Sequence, residues 1–320
     1  MGWWGAASAA GGAAGVLLGG VLTSALGWWA VFALSALLAL PGIAATPLLL
    51  GRGERERAAR LDLPGALVVT AGLTLLVLGL GAQGRLPLPG FVVLAAGVLL
   101  LLTLMPVERR ARDPLLPPVL LRNRSAVAGN LLMLPLGAVW VATFFFLPLY
   151  QQRVLGYSPL EAGLTQVPLA AALMTASWGA GRLRGTLLPG FVVLAAGLLW
   201  LARLPVDGTF LSDLFGPSVL IGTGLGLAFV PLTGMGVAGL GPRHSGIAGG
   251  LINTSRQVGG ALGLAVLTSL AGPAADRTTP GPAALAHGYR RALVAAALVA
   301  LLAAAGAGIR RKPARPVTSS

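Results

Sequence analysis

Asn253, Thr254, Ser255, Arg256 and Gln257 form an unbroken run of hydrogen-bonding side chains inside a glycine-rich apolar stretch, Ser245–Leu270, SGIAGGLINTSRQVGGALGLAVLTSL. An arginine stays protonated at any working pH, so Arg256 offers no acid–base chemistry. It offers a fixed positive charge carried on a planar fork of donors. The stretch is long enough to cross a bilayer, and an ionised side chain inside one calls for a physical reason. Counted from Ser245, Arg256 lies about 16 Å along a helix rising roughly 1.5 Å per residue, close to mid-membrane. Two readings follow. Arg256 lines a polar cavity, with Asn253 and Gln257 on nearby faces, or it is a structural clamp that snorkels or bonds to carbonyls. Asn130 and Gln166 are further polar side chains in or near apolar runs. Each reads either as a cavity group or as a helix–helix hydrogen bond. Glu161 falls in a first helical turn and reads as a helix-start carboxylate.

Chemistry of other kinds finds no residues to carry it. The sequence has no cysteine and only His244 and His287, so no zinc site is expected, and no cofactor. GLINTS has no lysine and is not a nucleotide-phosphate loop. No Asp or Glu sits in the middle of an apolar run. A proton-coupled carrier needs a titratable group within the membrane, and these residues supply none. An enzyme is not expected.

The setting for these residues is a membrane. Of 320 residues, 56% are hydrophobic and 10% are charged, and the mean hydropathy is +0.84. A soluble domain carries roughly 25% charged residues. Charge is absent from Met1 to Gly51, Leu63 to Gln83, Leu86 to Val107, Ser125 to Gln152 and Leu214 to Pro242. Runs of that length specify an all-α integral membrane protein of about ten transmembrane helices. The 47 glycines fit helices packed closely in lipid. The net charge of +14 comes from arginines in short loops, with no continuous basic face, so nucleic acid is not an expected partner.

Spans are expected at about Ser8–Leu26, Trp28–Leu50, Pro64–Gln83, Pro87–Pro106, Ser125–Tyr150, Pro159–Gly181, Thr186–Leu204, Asp213–Leu240, Ser245–Leu270 and Gly288–Ile309. The first carries Gly11, Gly15 and Gly19 at four-residue spacing, with Gly20 beside them, which clears a face for another helix. Pro231 predicts a kink or break. Pro273–His287 reads as a loose loop. The connector Glu108–Arg124, with Pro114, Pro117 and Pro118, is the expected boundary between two bundles. Arginine-rich loops at Arg52–Arg60, Arg109–Arg124 and Arg182–Arg184 and the tail Arg310–Arg315 fall on one side of such a topology. The positive-inside tendency makes that side, and both termini, cytoplasmic. Leu88–Gly97 and Leu188–Gly197 are the same ten residues, LPGFVVLAAG. They are expected in helices of opposite direction, where a parallel duplication would keep direction, so convergence or local sequence exchange is the reading.

Gly11–Gly20, GGAAGVLLGG, resembles the glycine-rich antiporter motif G-x-x-x-G-P-x-x-G-G in the fifth helix of major facilitator drug exporters. Gly11, Gly15, Gly19 and Gly20 match, and Val16 stands where proline is expected. ALGWWAVF is similar to the tight junction that follows. FFFLPLYQQRVLGYSPLEAGLTQVP, Phe144–Pro168, and GIAGGLINTSRQVGGALGLAVL, Gly246–Leu267, resemble the ninth-to-tenth helix junction and the thirteenth helix of the fourteen-helix drug/proton antiporter branch. The resemblance implies a partial major facilitator fold in which residues 1–50 close the N-terminal bundle. Residues 51–124 would then be the extra central helix pair with its loops, 125–309 the complete C-terminal six-helix bundle, and 310–320 a basic disordered cytoplasmic tail. It implies that the first four helices, with their proton-coupling groups, are absent and are partners this chain needs. The implied activity is multidrug efflux. Amphipathic or cationic small molecules are exported across a bacterial-type plasma membrane in exchange for protons, by alternating access. A non-transporting fragment or subunit and an uptake carrier of the same fold stay open as alternatives.

Overall fold

Apolar runs of this length have one low-energy arrangement in lipid, a helix that satisfies its own backbone hydrogen bonds. The computed structural model describes residues 11, 15, 18–49, 62–81, 89–110, 115, 117–203, 205–272 and 281–309, and these form helices with no strand among them. The helices are α1 (18–26), α2 (Trp29–Leu49), α3 (Leu63–Gly81), α4 (Gly90–Leu102), α5 (Leu104–Glu108), α6 (Pro118–Arg122), α7 (Arg124–Arg153), α8 (Pro159–Leu164), α9 (Val167–Ala180), α10 (Leu187–Leu201), α11 (Phe215–Val237), α12 (Pro242–Ala271) and α13 (Pro282–Ile309). A π-helical turn, Phe210–Leu214, leads into α11. Six described stretches are long and apolar enough to span a membrane: Trp29–Leu48, Leu63–Gly81, Gly90–Glu108, Arg124–Arg153, Phe210–Val237 and Pro282–Gly308. The charged loop Arg52–Arg60 and the tail 310–320 lie outside the described residues.

The core sits among α7 and α9 to α13. Leu136, Val139, Leu169, Phe191, Leu194, Leu198, Ile221, Leu225 and Leu232 are fully buried there. Small residues set how closely the helices cross. A Cβ on Gly197 would meet the Ile221 backbone nitrogen at 2.9 Å, and one on Gly190 would meet that of Ala228 at 2.8 Å. The register is antiparallel and ties α10 to α11. The identical segment in α4 is used the same way. Cβ atoms on Gly90 and Gly97 would meet the carbonyls of Gly79 and Gly72 in α3 at 2.8 and 2.9 Å. Both copies therefore present a glycine pair two turns apart to an antiparallel neighbour, one to the helix before it and one to the helix after it.

Boundaries differ from expectation where local chemistry intervenes. Pro159–Gly181 is broken at Thr165–Gln166, ahead of Pro168, giving α8 and α9. A proline cannot donate to the previous turn, and it disfavours helix in the residue before it. Pro231 instead sits inside a continuous α11. α13 starts at Pro282, earlier than expected, because proline suits a first helical turn and Ala283, Ala284 and Ala286 follow it. In the connector, α6 has Leu120 buried while Val119 and Leu121 are exposed. Asn123 then joins two helices. Its Oδ1 accepts from Ser125 and Ala126 nitrogens at 3.0 and 3.1 Å, capping α7, and its Nδ2 donates to the Ala238 carbonyl at 2.8 Å, past the end of α11.

Candidate functional site

α7 and α12 run parallel and in close contact. Gly259 lies against the Leu134 backbone, Gly263 against Ala138, and Gly137 against the Arg256 carbonyl, where a Cβ would collide. One turn earlier, Ser255 Oγ donates to Asn130 Oδ1 at 2.8 Å, while Asn130 Nδ2 donates back to the Ala126 carbonyl at 2.8 Å. Asn130 thus bonds across the helix pair. The polar run of α12 divides between its faces because successive residues turn by about 100°. Ser255 faces Asn130. Gln257 lines a cavity of about 380 Å³ between α12 and α3, together with Thr74 and apolar side chains. Asn253 and Arg256, three residues apart, share a further face, where Arg256 Nη2 donates to Asn253 Oδ1 at 2.9 Å.

Aromatic rings complete that face. The Arg256 guanidinium carbon lies 5.8 Å from the centroid of the Trp140 ring on α7. Trp140 lies 5.5 Å from Phe229 on α11 and 6.2 Å from Phe144, one turn further along α7. Trp140 is the hinge of a row α11–α7–α12, touching a ring on one side and a cation on the other. Arg256, Trp140, Phe144 and Phe229 are all half-buried, and Asn253 is exposed. Among the described residues no carboxylate pairs with Arg256. The arrangement can hold a flat apolar group against rings and present N–H donors to whatever that group carries.

Gln166 stands elsewhere, at the break between α8 and α9. It is 6% exposed, and its Oε1 has no hydrogen-bond partner among the described residues. Glu161 closes a capping box on α8. The Ser158 nitrogen donates to Glu161 Oε2 at 2.8 Å and the Glu161 nitrogen donates to Ser158 Oγ at 3.3 Å. Of the four motif glycines, Gly20 is buried, and its Cβ would meet the Pro159 carbonyl of α8 at 2.9 Å. Gly11, Gly15 and Gly19 have nothing within 4 Å of the same position among the described residues. The structure therefore pairs Arg256 with Asn253, bonds Asn130 to the same helix one turn away, and sets Gln257, Gln166 and the glycines apart. Phe229 carries no sequence signal for a site, being one ring in an apolar helix. Trp140 and Phe144 share a helix face at four-residue spacing, which marks a surface without naming its partner.

The sequence profile of the Major Facilitator Superfamily matches residues 1–264. The chain belongs to the Major Facilitator Superfamily. Within that superfamily it is similar to the cephamycin export protein of Amycolatopsis lactamdurans, 41% identical over 305 residues, covering 91% of this chain and 62% of the relative. It is 37% identical over 333 residues to the puromycin resistance protein of Streptomyces alboniger, covering 95% and 64%. It is 32% identical over 283 residues to the tetracenomycin C resistance and export protein of Streptomyces glaucescens, covering 83% and 51%. This major facilitator chain falls in the drug-efflux and resistance branch and is a multi-pass bacterial membrane protein, not an enzyme. It spans less than two thirds of the length of these relatives.

Proposed function

We propose that this chain is the larger part of a secondary exporter of the fourteen-helix drug/proton antiporter type. The whole protein expels small amphipathic, drug-like molecules across the plasma membrane by alternating access, in exchange for protons. The observation that carries the reading is the polar–aromatic face built by α7, α11 and α12, a ligand-sized surface in a chain of the efflux branch. The side-chain-free contact between Gly20 of α1 and Pro159 of α8 supports it, because two bundles that rock past each other need a crossing without bulky side chains. Residues 1–50 would belong to the N-terminal bundle, 51–124 to the central pair and 125–309 to the C-terminal bundle, with both termini and the tail 310–320 cytoplasmic.

Proton coupling needs a group that titrates inside the membrane. Arg256 does not titrate at working pH, so coupling is assigned to acidic groups of the whole transporter that relatives of greater length have room for. That length also favours a second reading, in which this chain is silent until paired with a polypeptide supplying the remaining helices. Efflux of a fluorescent dye from pump-deficient bacteria separates the two. The exporter reading expects lowered dye accumulation that a proton ionophore restores. Accumulation equal to empty vector, with the protein confirmed in the membrane, refutes autonomous export and leaves the paired reading.

A further inference from the structure

Resting on the export reading above, we infer that the substrates of this site are aromatic anions, held by ring stacking on Trp140 and Phe229 and by a carboxylate or similar acid on Arg256 and Asn253. A clamp would tie α12 to a neighbour through its side chain. The Arg256 side chain donates a hydrogen bond to Asn253 on its own helix and comes within 5.8 Å of the Trp140 ring centroid. The work of joining α12 to α7 falls to other atoms. Ser255 bonds Asn130, and Gly137 lets the Arg256 backbone, not its guanidinium, come against α7. The charge is therefore surplus to the packing.

A guanidinium half-buried beside the Trp140 ring, in a structure whose described carboxylates Asp62, Glu108, Glu161, Asp207 and Asp213 sit at helix ends and turns, has no counter-ion among the described residues. Its charge is costly in a membrane setting until an anion neutralises it. Planar N–H groups match a carboxylate in two parallel hydrogen bonds, and Asn253 adds amide donors beside them. Trp140 and Phe229, 5.5 Å apart on adjacent helices, offer the apolar body of the ligand a tilted pair of rings within reach of that charge. An aromatic cation would find the same rings and meet Arg256 as a like charge across a poorly screened gap. The face thus selects by sign, against the cationic members of the amphipathic or cationic class that the family resemblance implies.

The test is calorimetric titration of the purified full chain with three probes of one shape: 2-naphthoate, 2-naphthamide and 2-naphthylmethylammonium. The expected result is naphthoate binding at least about tenfold tighter than either of the others, as one charge-assisted pair provides. Arg256→Gln should collapse the preference for naphthoate over naphthamide toward one, and Arg256→Lys should keep part of it. Binding of the ammonium as tight as naphthoate, or no naphthoate binding, overturns the inference whether or not dye efflux is seen. A naphthoate preference that survives in Arg256→Gln also overturns the assignment to Arg256. Naphthoate preference in a chain that fails the efflux assay contradicts autonomous export and leaves the binding site standing, so the two readings fail separately.

Discussion

Asn130→Ala removes a side-chain hydrogen bond between α7 and α12, and Ser255→Ala removes the same bond from its other end. Each is expected to destabilise by about 0.6 kcal/mol, the average for such bonds in a membrane, and the double substitution by little more than one single. Arg256→Gln, by contrast, is expected to leave the thermal midpoint of the detergent-solubilised protein near wild type, since its described hydrogen bond stays within α12 and its approach to the Trp140 ring of α7 is a long one, 5.8 Å. Thermal unfolding of the four proteins checks this. An Arg256→Gln midpoint that falls further than that of Asn130→Ala restores the clamp reading. At this scale the sequence told part of the story. Arg256 and its polar neighbours were visible as a group, but which faces they take was not. Helical rotation sends Gln257 to the α3 side and Ser255 to Asn130, and rotation relative to a partner helix is a property of packing. Phe229 was invisible because the ring becomes part of a site only when α11 lies beside α7.

Helices α7 and α12 meet where Gly137 faces the Arg256 carbonyl. Gly137→Leu puts a side chain into backbone that cannot give way, and overpacking of this kind costs about 1–3 kcal/mol. Its expected mark is a fall in membrane-inserted protein and in thermal midpoint, read by fluorescence-detected size exclusion. A matched pair tests the α1 contact. Gly20→Val is expected to lower both readouts, because its Cβ meets the Pro159 carbonyl, whereas Gly15→Val is expected to be tolerated, having nothing within 4 Å of its Cβ position among the described residues. Equal loss from both would contradict the assignment of the contact to Gly20. Apolar run length placed nearly every helix, since a bilayer accepts little else. The runs said less about breaks. Pro168 stands in the first turn of α9, just past a break, and Pro231 sits inside a continuous α11, so a proline alone did not mark a boundary. The repeated LPGFVVLAAG makes sense at this scale too. Its glycines two turns apart are what a tight antiparallel pairing requires, whichever neighbour supplies the other helix.

For the whole molecule, the parallel pair α7 and α12 and the antiparallel pair α10 and α11 agree with an up-and-down bundle, and the orientation of that bundle in the membrane is the quantity to measure. The chain has no cysteine, so single substitutions report cleanly. Asp207→Cys is expected to react with an impermeant maleimide added to intact cells, and Arg184→Cys and Ser320→Cys only after permeabilisation. The reverse pattern would invert the topology. The expected orientation rests on charge distribution along the sequence, whereas the proposed substrate face gave no such signal, because three helices far apart in the chain build it. On the proposed reading, the Asn253–Arg256 face of α12 lines a water-filled, ligand-binding cavity. Asn253→Cys tests it most directly, with Leu302→Cys on α13, a side chain 74% exposed in an apolar stretch, as the lipid-facing control. A small water-soluble maleimide is expected to modify the Asn253→Cys protein and not the Leu302→Cys protein, and 2-naphthoate is expected to slow the reaction of the former. Modification of neither position by the water-soluble reagent, with both reached by a lipid-soluble one, would place that face against lipid and overturn the cavity assignment.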